Sequence, residues 1–203
     1  MNIEALLQVR KDIGNCTRCG LHSARTNIVF GEGNPFSKIM FIGEGPGESE
    51  DLSGRPFVGR SGKLLDQALE RAGLNRDLVY IANIVKCRPP GNRDPLPIEK
   101  ETCSPFLDRQ INTINPKILM PLGRISGEYI LGRQLKITRE RGQLFEWPKN
   151  PQVKVIVAFH PSYVLRNRST EIEDIFYEDV LKVKKIADEI DQTAYATAPM
   201  GCS

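Results

Sequence analysis

The sequence predicts an α/β fold, a three-layer α/β/α sandwich around a central, mostly parallel four-stranded sheet, and three observations carry that prediction. Four short, near-continuous apolar runs recur along the chain, as strands buried on both faces require. Segments with leucine and isoleucine at helical spacing separate them. The 203 residues, 40% hydrophobic and 26% charged, suffice for one core and exclude disorder, a collagen-like repeat and a disulfide-stapled miniprotein.

Ile3, Leu6, Leu7, Val9 and Ile13 form an N-terminal helical stripe that Gly14-Asn15 ends ahead of a cysteine loop. KIMFIG (38–43) is the first strand; a long glycine-rich loop follows, and GKLLDQALERA (62–72) is a helix stopped by Gly73. LVYIANIV (78–85) is the second strand, leading into KCRPPGNRDPLP, a loop with four prolines. Residues 98–113 read as a helix with Cys103 near its start, KILMPL (117–122) as the third strand and 123–131 as a helix. The stretch up to Trp147 receives no assignment. VKVIVAF (153–159) is the fourth strand, ending at His160-Pro161, and a last helix covers about 171–190. One domain over 1–190 is expected, with 191–203 as a flexible C-terminal tail. Ligands of parallel sheets bind at the carboxyl ends of the strands, which here carry GEGPGESED, the 83–92 segment and HPSYVLRN.

No apolar run approaches the ~20 residues that a membrane helix needs. The first residues lack the apolar core and cleavage site of a secretion signal, so a cytoplasmic monomer without a membrane partner is expected. Net charge is +3, from 28 Lys and Arg against 25 Asp and Glu, so composition alone does not announce a polyanion partner. Its distribution is more telling: arginines gather at Arg88/Arg93 and Arg166/Arg168, suited to phosphates if the fold brings them to one face.

Of five cysteines, Cys16 and Cys19 form C-T-R-C, and Cys87 and Cys103 sit beside turn-forming residues; Cys202 is a tail thiol. An x2 pair plus two distant cysteines suits zinc or an iron–sulfur cluster, with inert buried thiols as the plainer reading. The loop 43–51 has G-x-G-x-G, a proline and four carboxylates, which disfavours a pyrophosphate site and suits a neutral ligand or the positioning of water. Ser162 follows His160 by two residues, but no G-x-S-x-G elbow accompanies it, so a serine nucleophile is not expected.

Three runs together resemble one family: GEGPGESEDLSGRPFVGRSGKLL, YIANIVKCRPPGNR and HPSYVLRN are similar, in order, to the motifs of family 4 uracil-DNA glycosylases, the thermostable iron–sulfur type of archaea and bacteria. The likeness covers about residues 10–190. It implies excision of uracil from single- or double-stranded DNA to leave an abasic site, the opening step of base excision repair. It also implies a four-iron four-sulfur cluster on Cys16, Cys19, Cys87 and Cys103. By the same resemblance, Phe57 stacks on the flipped base, Asn83 reads its edge, and His160 donates to O2. Gly45 stands where the better-known family 1 enzymes carry a water-positioning Asp, so that task falls to Glu44 or a carbonyl of the same loop, or else to Asn92. Glu50 is expected near the place where a thymine methyl must be excluded. Leu165 is expected to fill the space left by the flipped base, with Ser162, Arg166, Arg168, Arg88 and Arg93 toward the DNA.

Three other readings compete: a redox or DNA-binding protein that uses only the cluster, a family 5 glycosylase, and a flavodoxin-like nucleotide binder. Glu44 and the NIVKCRPP stretch favour family 4 over family 5. The tail lacks the aromatic pair of sliding-clamp peptides, so a clamp partner rests on the resemblance alone.

Overall fold

The computed structural model describes residues 2–167 and 170–196. Its sheet has six strands: β1 (Glu32–Gly33), β2 (Ile39–Gly43), β3 (Tyr80–Asn83), β4 (Ile118–Pro121), β5 (Leu144–Trp147) and β6 (Asn150–Ile156), in the order β1-β3-β2-β4-β6-β5. The four central strands run parallel and are the four expected from the sequence. Two antiparallel edge strands correct the expected count of four. β1 is only two residues long, and β5 lies in the stretch left unassigned, its burial pattern mixed as befits an edge.

Eight helices appear among the described residues, besides two 3-10 turns: α1 (Asn2–Ile13), α2 (Glu48–Ser53), α3 (Arg60–Arg71), α4 (Pro97–Ile114), α5 (Arg124–Leu131), α6 (Ile137–Glu140), α7 (Pro161–Asn167) and α8 (Thr170–Ala196). Alternation along the strands divides the core. Met40 and Ile42 face α1, α4 and α5, through Val9, Leu107 and Ile130 among others. Ile39 and Phe41 face α3, α7 and α8, through Leu65, Val164 and Phe176. These are the three layers that the apolar runs predicted.

α2, α6 and α7 are not among the helices expected from the sequence. α2 has Glu48, Glu50 and Asp51 in its first turn, where carboxylates favour helix formation. α8 runs to Ala196, six residues into the expected tail, because DQTAYA has no glycine or proline to stop it. Residues 197–203, and with them Cys202, lie outside the described residues, as does Arg168. No described helix is long and apolar enough to cross a membrane.

Candidate active site

Strand ends place the candidate site. Gly43, the last residue of β2, pairs in register with Asn83, the last residue of β3. Beyond β4, Leu122 bridges to Ala158 and the Gly123 amide donates to the Ala158 carbonyl, which fixes the chain leading to His160. The loops leaving these ends enclose a cleft of about 420 Å³. Glu44, Gly45, Glu50, Phe57, Asn83, Asn92, Arg93, His160, Ser162 and Arg166 line it, so most of the residues singled out from the sequence meet there. Arg88 and Leu165 are not among the lining residues.

Asn83 is the floor. It is 1% exposed, and its Oδ1 has no hydrogen-bond partner. A buried acceptor left unpaired costs about 1–3 kcal/mol, a cost that a ligand N–H would remove. Lys86, fully buried, donates from Nζ to the Asn83 main-chain carbonyl at 2.8 Å and to Gln110 Oε1 at 2.6 Å, fixing the strand end from behind. A Cβ on Gly43 would stand 2.2 Å from Asn83 Oδ1 and 2.7 Å from the Phe57 ring, so only glycine lets these side chains meet over the strand.

Phe57 forms a wall. Its ring is buried, 6.0 Å from the His160 ring centroid and tilted 37° to it. Its φ of 51° is left-handed, a conformation that a bulky side chain adopts only when its surroundings impose it.

The Ser162 backbone N–H donates to His160 Nδ1 at 3.1 Å, and the Ser162 hydroxyl lies 2.7 Å from the same nitrogen. An Nδ1 that accepts leaves the proton of the neutral ring on Nε2. Burial, reinforced by the Arg166 guanidinium and opposed by Glu50, lowers the His160 pKa to about 4, so the ring is uncharged near neutrality. Glu44 is half-buried. Burial and the charge of Asp94 raise its pKa to about 7, against the pull of Lys100 and Arg124.

Glu50 is engaged with the backbone. Oε1 accepts from the amides of Val58 and Gly59, both at 2.8 Å, and Oε2 from the Gly47 amide at 3.1 Å. It therefore ties the glycine-rich loop to the loop bearing Phe57. Asn92, exposed and at φ 55°, accepts from Arg88 Nε at 2.8 Å, and Arg88 reaches Glu48 at 3.5 Å. Arg93 is held in a two-pronged pair by the buried Glu99, at 2.8 and 2.6 Å. Arg166 is exposed, its Nη1 3.4 Å from the Ser162 hydroxyl, whereas Leu165 packs half-buried against the core at the end of α7.

The four cysteines converge on a second cavity under the loop between α1 and the first 3-10 turn. Cys87 and Cys103 are buried, Cys16 and Cys19 half-buried. Their sulfurs accept N–H groups: Arg18 at Cys16 (3.3 Å), Arg25 at Cys87 (3.4 Å) and the Lys86 amide at Cys103 (3.3 Å). Among the described residues no group of three or more His, Cys, Asp or Glu is arranged to hold a single metal ion.

Comparison with known proteins matches the model of the Uracil DNA glycosylase superfamily to residues 30–182. The chain belongs to that superfamily. Within it the chain sits with the type-4 group. It is 48% identical to the type-4 uracil-DNA glycosylase of Thermotoga maritima over 89% of this chain and 94% of the relative. It is 45% identical to that of Sulfurisphaera tokodaii over 91% and 86%. The type-5 uracil-DNA glycosylase of Mycobacterium tuberculosis is 29% identical over 78% of this chain and 66% of its own length. The superfamily match spans the cleft and the three motif runs on which the resemblance rested.

Some residues that shape this superfamily site were not singled out from the sequence. Asp94 lines the cleft and acts on Glu44; its place in G-N-R-D-P, two residues beyond the 83–92 segment expected at the ligand edge, was a usable signal. Gly43 showed only as the first glycine of the 43–51 loop and Lys86 not at all, because the contacts of a strand-end glycine and of a lysine just past an apolar run appear only when folded.

Proposed function

We propose that the protein removes uracil from DNA by hydrolysing the bond between base and deoxyribose, leaving an abasic site. The unpartnered, buried Oδ1 of Asn83, in a cleft that Phe57 and a neutral His160 also line, is the observation that carries this reading. A uracil turned out of its stack, at an unstacking cost of a few kcal/mol, presents N3–H and O4 along one edge. In this reading N3–H donates to Asn83 Oδ1, Asn83 Nδ2 donates to O4, and the Phe57 ring covers the base. Cytosine presents a bare N3 and an amino group, which sets acceptor against acceptor and donor against donor. Each such mismatch costs about 1–3 kcal/mol, roughly 5- to 150-fold in rate.

His160 Nε2–H donates to O2, where negative charge collects as the base departs. The Glu44 carboxylate, with its pKa near 7, orients the attacking water and faces the cationic sugar. Glu44 suits this task better than Asn92, whose carboxamide oxygen already accepts from Arg88. Gly45 keeps the loop low: a Cβ there would stand 2.7 Å from Val85. Glu50 excludes the thymine methyl indirectly, by fixing the walls of the cleft. Arg166 and Arg88 meet phosphates, and Leu165 enters the stack; Arg93 shapes its loop through Glu99.

The second cavity suits a four-iron four-sulfur cluster on Cys16, Cys19, Cys87 and Cys103. Sulfurs around one zinc stand roughly 3.8 Å apart, given its ~2.3 Å bonds, whereas a cuboidal cluster spreads its ligands wider. Burial raises the thiol pKa of Cys87 and Cys103, and the Arg25 and Lys86 N–H groups that reach their sulfurs oppose that rise. Bound there, the cluster supplies a structural cross-link between the N-terminal loop and the segment that carries Arg88.

The test is cleavage of end-labelled oligonucleotides holding a single uracil, thymine or cytosine, followed by alkaline scission. Strand breaks at uracil alone, inhibited by free uracil and abolished in His160→Ala, are expected. Intact uracil DNA, single- and double-stranded, after incubation with iron-loaded protein would overturn the proposal.

A further inference from the structure

We infer that Arg76 is a positioning residue for the base-stacking wall. The inference rests on the uracil-binding reading above and concerns a side chain outside the cleft. Phe57 presents its ring from a left-handed backbone, φ 51°, one of three such non-glycine residues among those described. Something must hold it, because an L residue with a large side chain relaxes out of that region when unrestrained. Behind the cleft, Arg76 donates from Nη2 to the Phe57 carbonyl and from Nη1 to the Pro56 carbonyl at 2.9 Å. One planar guanidinium thus clamps two successive carbonyls of the turn that aims the ring.

The clamp is itself anchored. Arg76 Nε donates to Asp66 Oδ1 at 2.7 Å, on α3, and Nη1 also donates to Glu32 on β1. Glu32 is held from the other side by Arg55 Nε at 2.7 Å. Burial works against ionisation of Glu32, but Arg55 and Arg76 outweigh it and keep its carboxyl below the usual range. The Arg76 side chain is 20% exposed, so the group is largely shielded from water. Gly62 completes the device: a Cβ there would fall 1.7 Å from the Phe57 carbonyl oxygen, so the first turn of α3 closes against the same peptide. Edge strand, α3 and the Phe57 turn therefore meet on one cation, which touches neither the base nor the reacting atoms.

The consequence is a population effect. Without the clamp, Phe57 samples ordinary backbone conformations, and apparent affinity for the base falls by the fraction of molecules that still present the ring. Arg76→Met should weaken inhibition by free uracil about tenfold. Arg76→Lys keeps the charge between Glu32 and Asp66 but replaces a two-carbonyl fork by a point donor. It should fold and still lose most of that inhibition. The deciding measurement is a double-mutant cycle on the full-length, iron-loaded protein, reading the uracil inhibition constant alongside the melting temperature. In a Phe57→Ala background, Arg76→Lys should change uracil inhibition no further, whereas a merely structural arginine would cause the same loss in both backgrounds. Equal losses in the two backgrounds, or parental uracil inhibition in folded Arg76→Lys, would overturn the inference. A parent protein that uracil does not inhibit would overturn the uracil reading and this inference together.

Discussion

Replacing Gly43 by alanine adds one methyl group where three elements of the cleft converge. The new carbon would lie 2.2 Å from Asn83 Oδ1 and 2.7 Å from two ring carbons of Phe57. Carbon–oxygen contacts relax near ~3.3 Å and carbon–carbon contacts near ~3.5–4.0 Å, so the carboxamide and the ring must each retreat by about 1 Å. The main chain of each is held at its carbonyl, Asn83 by Lys86 and Phe57 by Arg76, so the retreat falls on the side-chain torsions. Overpacking of this kind costs about 1–3 kcal/mol, a fall in melting temperature of roughly 2–12 °C for a chain of this length. The functional loss is larger. A 1 Å misplacement of groups that orient a substrate costs on the order of 10²-fold. Single-turnover cleavage of a uracil oligonucleotide, beside a thermal melt of the same preparation, separates the two effects. A folded Gly43→Ala protein with parental cleavage and parental inhibition by uracil would refute the claim that Asn83 and Phe57 jointly hold the base.

Three other perturbations discriminate among the roles assigned. Glu44 binds its proton below pH about 7 because burial raises its pKa, so a mechanism that needs the carboxylate speeds up as pH rises through 7; Glu44→Gln should abolish that limb and lower the plateau by on the order of 10²-fold. His160, with a pKa near 4, contributes no limb of its own at neutral pH, so a pH profile unchanged by Glu44→Gln would remove Glu44 from the chemistry. Asn83→Asp sets a carboxylate against uracil O4 and should cut uracil excision about 10²-fold while raising the ratio of cytosine to uracil cleavage; unchanged selectivity on the matched oligonucleotides would take Asn83 out of base recognition. Cys103→Ser should lose iron, visible absorbance and thermal stability together, and a colourless variant melting with its parent would contradict a structural cluster.

How much of this was legible beforehand follows from where the information resides. Runs such as KIMFIG and KILMPL must be buried on both faces, so the four parallel strands and their flanking helices were readable, and with them the edge at which a ligand binds. The outer strands were not. Glu32 and Gly33 form a two-residue pairing defined by β3, and Leu144–Trp147 is paired on one side only, so neither had to be continuously apolar. In the cleft, residues that point at a ligand came from recognisable runs, and most of them do line one wall or another. Residues that act by gripping backbone were opaque. Arg76 sits in N-R-D-L, an ordinary turn sequence, and nothing local distinguishes it from a solvated arginine. Charge alone also hid the partners of Arg93 and Glu50: the first is matched by Glu99, the second by three amides.

The donor that fixes the His160 ring is a main-chain amide at the start of α7. Like the Glu50 carboxylate, which three amides hold, the imidazole therefore keeps a main-chain partner whatever side chains surround it. Replacing Ser162 removes a hydroxyl but leaves the N–H in place, and only proline, which lacks that hydrogen, deletes it. Variation at Asn83, Phe57 or Glu44 leaves the peptide path that holds the imidazole intact. In the proposed reaction, the group assigned to polarise the leaving base is held by the course of the chain, while those assigned to choose the base are replaceable side chains. Redesign toward another nucleobase has a fixed point around which to work.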